Sequence, residues 1–148
     1  MTRKLSLLIL LILLTMAGLW AFGQEVLKIE PLARGKSVML RFQLQPGYGV
    51  QKAANNELMV YELKKGHEKQ KNIRLKIKEY GTLLGETTVF RGRTSAKDKD
   101  YFDTLQESSI KLKKTSTSQL ALGGKIYYCS FADKFCSVQS ISQLITDY

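Results

Sequence analysis

The sequence predicts an all-β fold in which two antiparallel sheets pack face to face, and three observations predict it. Short stretches alternate strictly between apolar and polar residues, as half-buried strands do. Turn signals recur at Pro46-Gly47, Asn55-Asn56, Gly66, Gly81, Gly85, Gly92 and Gly123-Gly124. Beyond Gly23, no stretch of about 12 residues holds a 3.6-residue apolar period. Roughly six to nine short strands in one small domain suit a sandwich, with a closed barrel as the rival.

The elements follow in order. Residues 1–23 read as an export signal: Arg3 and Lys4 precede an apolar run from Leu5 to Phe22, which ends at Ala21-Phe22-Gly23. Cleavage is expected and leaves residues 24–148 as one domain, because about 125 residues are too few for two cores. An uncleaved anchor is the alternative, and the one route by which the chain would meet a membrane. Lys36–Leu44 is a strand with Val38, Leu40, Phe42 and Leu44 on one side. Asn72–Lys78 repeats the pattern with Ile73, Leu75 and Ile77 inward. Leu58–Leu63, Thr87–Arg91 and Ser109–Lys113 carry weaker strand patterns, and the charged run Arg91–Asp103 reads as a long loop. Leu120–Cys129 is a strong strand. Val138, Ile141, Leu144 and Ile145 suit a short amphipathic turn or a last strand.

Composition removes several chemistries. Of 148 residues only one is histidine, His67, and it stands in the charged turn-like stretch Lys64-Lys65-Gly66-His67-Glu68-Lys69. A triad or a zinc site would have to draw every imidazole from it, so neither is expected, and no metal or organic cofactor is called for. Gly35-Lys36-Ser37 resembles the end of a phosphate loop, but Glu30 occupies the position where that loop needs glycine. The net charge of +10, or +8 once Arg3 and Lys4 are removed with the signal, favours anionic surfaces. Its densest stretch, Lys64–Lys78, lacks the interleaved aromatics of a single-strand binder, and Arg74, Lys76 and Lys78 share the outward parity of one strand. A solvated face protecting the sheet is the expectation, with no nucleic acid as partner. An adhesin for anionic ligands is the lesser alternative, and its binding would weaken with salt.

Cys129 and Cys136 are the only cysteines, and an exported chain exposes them to an oxidising compartment where they are expected to pair. Parity places Tyr127 and Cys129 opposite the core-facing Ile126 and Tyr128, on the more accessible side. An accessible bond within one small loop suits a redox switch, because a partner thiolate must approach along the sulfur–sulfur axis. It equally suits a structural staple worth roughly 2–3 kcal/mol in the chain-entropy model. Tyr48, Tyr127, Tyr128, Phe131 and Phe135 are candidates for a partner's docking surface or for the core.

The stretch Leu122-Gly123-Gly124-Lys125-Ile126-Tyr127-Tyr128-Cys129, followed by Cys136, resembles the carboxy-terminal signature of the amino-terminal periplasmic domain of the thiol:disulfide interchange protein DsbD, the disulfide bond corrector family. Leu44-Gln45-Pro46-Gly47-Tyr48-Gly49-Val50-Gln51 is similar to that family's Gly-Tyr/Trp strand junction. The likeness spans about residues 36 to 145, with the cysteine segment its most specific part. It implies an immunoglobulin-like sandwich in the periplasm, acting as a monomer and exchanging electrons with thioredoxin-like periplasmic or membrane-bound redox proteins. By the same analogy Cys136 attacks the partner's disulfide and Cys129 resolves the mixed disulfide. A cap loop is implied at Gly81-Thr82-Leu83-Leu84-Gly85, with Leu83 where the family carries an aromatic. The acidic residues before that aromatic are absent at Gly81 and Thr82, and Ser137 and Val138 replace the prolines after the second cysteine. The family's membrane channel and thioredoxin-like module lie outside these 148 residues, so a separate reductase is the expected electron source. A non-catalytic binding or structural module of the same fold is the alternative.

Overall fold

The computed structural model describes residues 25–64 and 81–145. The export signal, the strand expected at Asn72–Lys78, His67 and all but the first residue of the Lys64–Lys78 face lie outside the described residues. Those described form ten strands: β1 Leu27–Arg34, β2 Ser37–Leu44, β3 Tyr48–Gln51, β4 Glu57–Leu63, β5 Gly81–Thr87, β6 Gly92–Thr94, β7 Tyr101–Leu105, β8 Ser108–Lys111, β9 Leu120–Ser130 and β10 Phe135–Ile145. All pairings are antiparallel, and the protein is a β-sandwich.

The smaller sheet runs β1-β2-β8, and the larger runs β5-β4-β9-β3-β7-β6 with β10 on the other edge of β9. Strand β9 organises the larger sheet. Its whole length pairs with β10, while its opposite edge is shared end to end, by β4 along Leu120–Lys125 and by β3 along Tyr128–Ser130. The two sheets bury one cluster between them: Leu27, Ile29, Val38, Leu40 and Ile110 from one, and Val50, Leu58, Val60, Leu122, Ile126 and Ile141 among those from the other. Burying each large aliphatic side chain contributes roughly 1.5–3 kcal/mol. On β4, alternate residues Met59, Tyr61 and Leu63 form a second cluster with Ala121, so this strand is buried on both faces. That explains its weak alternation in the sequence.

Two joints use side-chain amides in place of backbone. Where β4 gives way to β3, the Tyr127 N–H of β9 would lack a ladder partner; it donates to Asn56 Oδ1 at 2.8 Å, while Asn56 Nδ2 donates to the Gln51 carbonyl at 2.7 Å. Between the sheets, the Leu27 N–H donates to Gln139 Oε1 at 3.1 Å, and Gln139 Nε2 donates back to the Leu27 carbonyl at 2.6 Å. Gln143 Nε2 donates to the Ile29 carbonyl at 2.9 Å. These three bonds sew β1 to β10 and leave fewer raw edge groups on both strands.

Several expectations change. The strand expected at Thr87–Arg91 stops at its first residue, because β5 occupies the preceding segment and Arg91 connects it onward to β6. Gly81 and Gly85, read as turn signals, lie within β5; a Cβ at Gly85 would clash with the Lys111 carbonyl oxygen, so this glycine admits the close approach of the two sheets. The charged run Arg91–Asp103 is not one long loop. It contains β6 and the start of β7, whose pairing shifts register between Arg93 and Thr94 and so hides the alternation. The apolar residues at the carboxy-terminal end form β10, the last strand rather than a turn.

Candidate disulfide site

The site lies at the tip of the β9–β10 hairpin. Ser130 pairs with Phe135 across the turn Phe131–Lys134, and Cys129 pairs with Cys136 in the next register. The turn is set by local chemistry: Ser130 Oγ donates to Asp133 Oδ2 at 2.8 Å and accepts from the Asp133 N–H at 3.2 Å. Lys134 takes the left-handed conformation, φ 51°, that returns the chain to the ladder. The Phe131 N–H donates to the Gly47 carbonyl at 2.9 Å, fastening the tip to the loop before β3.

Directly opposed positions bring the two Cα atoms to 4.0 Å, and the sulfurs are bonded. Side-chain parity holds as the sequence predicts, since β9 residues 120, 122 and 126 face the core and Cys129 faces the other way. Accessibility differs from the expectation. Cys129 is 5% exposed, whereas Cys136 is exposed at the margin of the sheet. The reason is that Cys129 lies in a strand flanked on both edges, by Gly49 of β3 and Cys136 of β10, while β10 at Cys136 has a neighbour on one side only.

A tyrosine completes the site. The Tyr101 hydroxyl stands 3.3 Å from Cys129 Sγ, and because a disulfide sulfur carries no proton, the hydroxyl donates. Tyr101 belongs to β7, one strand beyond β3, so its side chain must cross β3 to reach the sulfur. It crosses at Gly49. A Cβ there would meet Tyr101 Cβ at 2.8 Å and the Phe131 ring at 2.5 Å. The two rings pack edge to face with centroids 5.7 Å apart, and Lys97 Nζ lies 5.8 Å from the Phe131 ring. The tyrosine backbone is held at both ends: its N–H donates to the Asp98 carbonyl at 3.2 Å, and its carbonyl accepts from the Ser95 N–H at 2.9 Å.

The remaining candidates distribute unevenly. Tyr127 shares the face of the cysteines in the next cross-strand pair, opposite Val138, with Lys125 Nζ 5.9 Å from its ring. Phe135 is 60% exposed beside the bond and Val138 is 44% exposed. Tyr48 lies on the opposite face, edge to face with Tyr128 at 5.9 Å. Leu83 is not at the site. It sits in β5 opposite Tyr61, which pairs with Ala121, about 26 Å along β9 from Cys129 at strand spacing. The cap position implied by the resemblance at Gly81–Gly85 is therefore a strand segment remote from the cysteines, because β5 pairs with the edge of β4 away from β9 and these residues lie opposite Val60–Leu63, towards the start of β9. The residues missed by the sequence are Tyr101 and Gly49. Alternation in Tyr101–Leu105 was masked by the charges before it, and a glycine between Tyr48 and Val50 gives no sign that a ring from another strand crosses it.

No protein-family model, no curated protein and no solved structure matches the chain.

Proposed function

We propose that this protein is an exported, immunoglobulin-like thiol–disulfide exchange module of the periplasm, passing electrons through Cys129 and Cys136 between a thioredoxin-like reductant and periplasmic oxidoreductases. The observation that carries the proposal is the asymmetry of the bond: one sulfur buried against a hydroxyl donor, the other at an accessible strand margin beside the exposed Phe135. Exchange needs one reachable sulfur and a leaving group the protein can accommodate. Tyr127, Phe131 and Phe135 border the bond and supply area for a partner to dock. The turn that carries Phe131 and leads into Phe135 is held by Ser130 and Asp133 and not by the sulfurs alone, so reduction leaves a platform in place.

The test is covalent trapping. A Cys129→Ser variant, left with Cys136, accumulates a mixed disulfide with a reduced-then-oxidised thioredoxin-like protein; absence of any adduct from both single-cysteine variants removes the carrier reading. The competing reading, a non-catalytic module whose bond only fixes the turn, draws on the completeness of the hairpin ladder around it. A reduction potential below about −300 mV would favour that staple, and a higher one the carrier.

A further inference from the structure

Resting on this exchange reading, we infer that Tyr101 is a catalytic residue which fixes the polarity of the reaction by stabilising Cys129 as the leaving thiolate, so that an incoming thiol reacts at Cys136. The two sulfurs differ in both properties that decide exchange. Cys136 is exposed, and among the described residues no hydrogen bond reaches its sulfur. Cys129 is buried and already receives the Tyr101 O–H at 3.3 Å. A hydrogen bond to sulfur is weak while that sulfur is neutral and strengthens when it becomes anionic, so the interaction gains most as charge develops.

The electron count is closed by a partner dithiol. Its first thiolate attacks Cys136 Sγ; the partner sulfur–Cys136 bond forms as the Cys136–Cys129 bond breaks, and the bonding pair leaves on Cys129 Sγ. Tyr101 donates to that thiolate, which then takes a proton from water. The partner's second thiolate attacks its own sulfur in the mixed disulfide and expels Cys136 as thiolate. The partner is oxidised by two electrons and this cysteine pair is reduced by two. Attack at Cys129 is opposed twice, because its sulfur is covered and the departing Cys136 lacks the donor.

Gly49 and Phe131 make the arrangement specific. Tyr101 reaches the sulfur only across a strand position without a side chain, and Phe131 packs edge to face against its ring. The hydroxyl is therefore presented before any partner arrives, which is what distinguishes a preorganised donor from water.

The experiment compares the oxidised wild type with Tyr101→Phe, which keeps the ring. With glutathione and an acid quench, peptide mapping is expected to find the adduct on Cys136. Reduction by dithiothreitol is expected to slow about threefold or more in Tyr101→Phe, following the dependence of rate on leaving-group acidity. In a Cys136→Ser background, the Cys129 thiolate absorbance is expected to titrate about one pH unit higher once Tyr101 is also Phe. Equal rates with equal titrations, or an adduct on Cys129, overturn the inference. Should Tyr101→Phe fail to fold, Gly49→Ala, which pushes the Tyr101 ring aside, carries the test in the Cys136→Ser background: a Cys129 titration moved upward supports the inference, and one left unmoved overturns it. These readouts use small thiols and so stand apart from partner trapping. A protein that shows them but traps no thioredoxin-like partner loses the carrier reading and keeps Tyr101 as a leaving-group donor. One that traps its partner while Tyr101→Phe changes nothing loses only Tyr101.

Discussion

Gly49 shows how much a missing side chain can specify. Its absent Cβ leaves the passage through which Tyr101 reaches Cys129 and against which Phe131 rests. Gly49→Ala is expected to push both rings aside and cost about 1–3 kcal/mol, the usual range for overpacking, read from a urea transition of the oxidised protein. Asn56 is the polar counterpart. Replacing it with alanine strands the Tyr127 N–H and the Gln51 carbonyl at a buried joint, and about 1–3 kcal/mol of destabilisation is expected from the same measurement. The sequence displays Asn56 only as part of a turn signal, which it also is. Its second role depends on where two distant strands meet along β9, and that is a property of the pairing, not of the local residues.

At the scale of the element, the β9–β10 hairpin is continuous over eleven residue pairs, and the sulfur bond occupies the second from the turn. Closing so short a loop restricts the unfolded chain by roughly 2–3 kcal/mol, so the Cys129→Ser, Cys136→Ser double variant is expected to lose about that much and remain folded by circular dichroism. Gln139→Ala is expected to cost about 1–3 kcal/mol by leaving both Leu27 backbone groups without their partner at the seam between β1 and β10. The strands with one wet face, β2 above all, were legible because their alternation is preserved. Strand β4 was harder because both faces are buried, β6 because it has three residues, and β1 because Pro31 interrupts its pattern at a position next to the sheet's margin. The sites followed the same rule: the cysteine pair was evident from the chain itself, whereas its tyrosine arrives from a strand hidden within a charged run.

For the whole molecule, one ion pair links the sheet to the crossing segment before β9. Lys114 Nζ approaches Glu62 Oε2 at 2.5 Å, and Ser116 Oγ donates to Glu62 Oε1 at 2.5 Å. The Lys114 bond first, and the Ser116 bond second, hold the Glu62 carboxyl below the ordinary glutamate range. A carboxyl more acidic in the folded chain than in the unfolded one stabilises fully above the unfolded value and ceases to do so as pH falls through the folded one. Glu62→Gln is therefore expected to be less stable than wild type at pH 7 by up to about 1 kcal/mol, with the difference shrinking in thermal melts as pH falls below the ordinary glutamate range. The placement of the sulfurs has a calorimetric consequence. On β9 the aliphatic interior ends at Ile126, and Cys129 lies past it towards the tip. Gaining or losing two electrons there leaves the hydration of the interior untouched, so the heat capacity of unfolding stays the same in both redox states while the midpoint temperature moves.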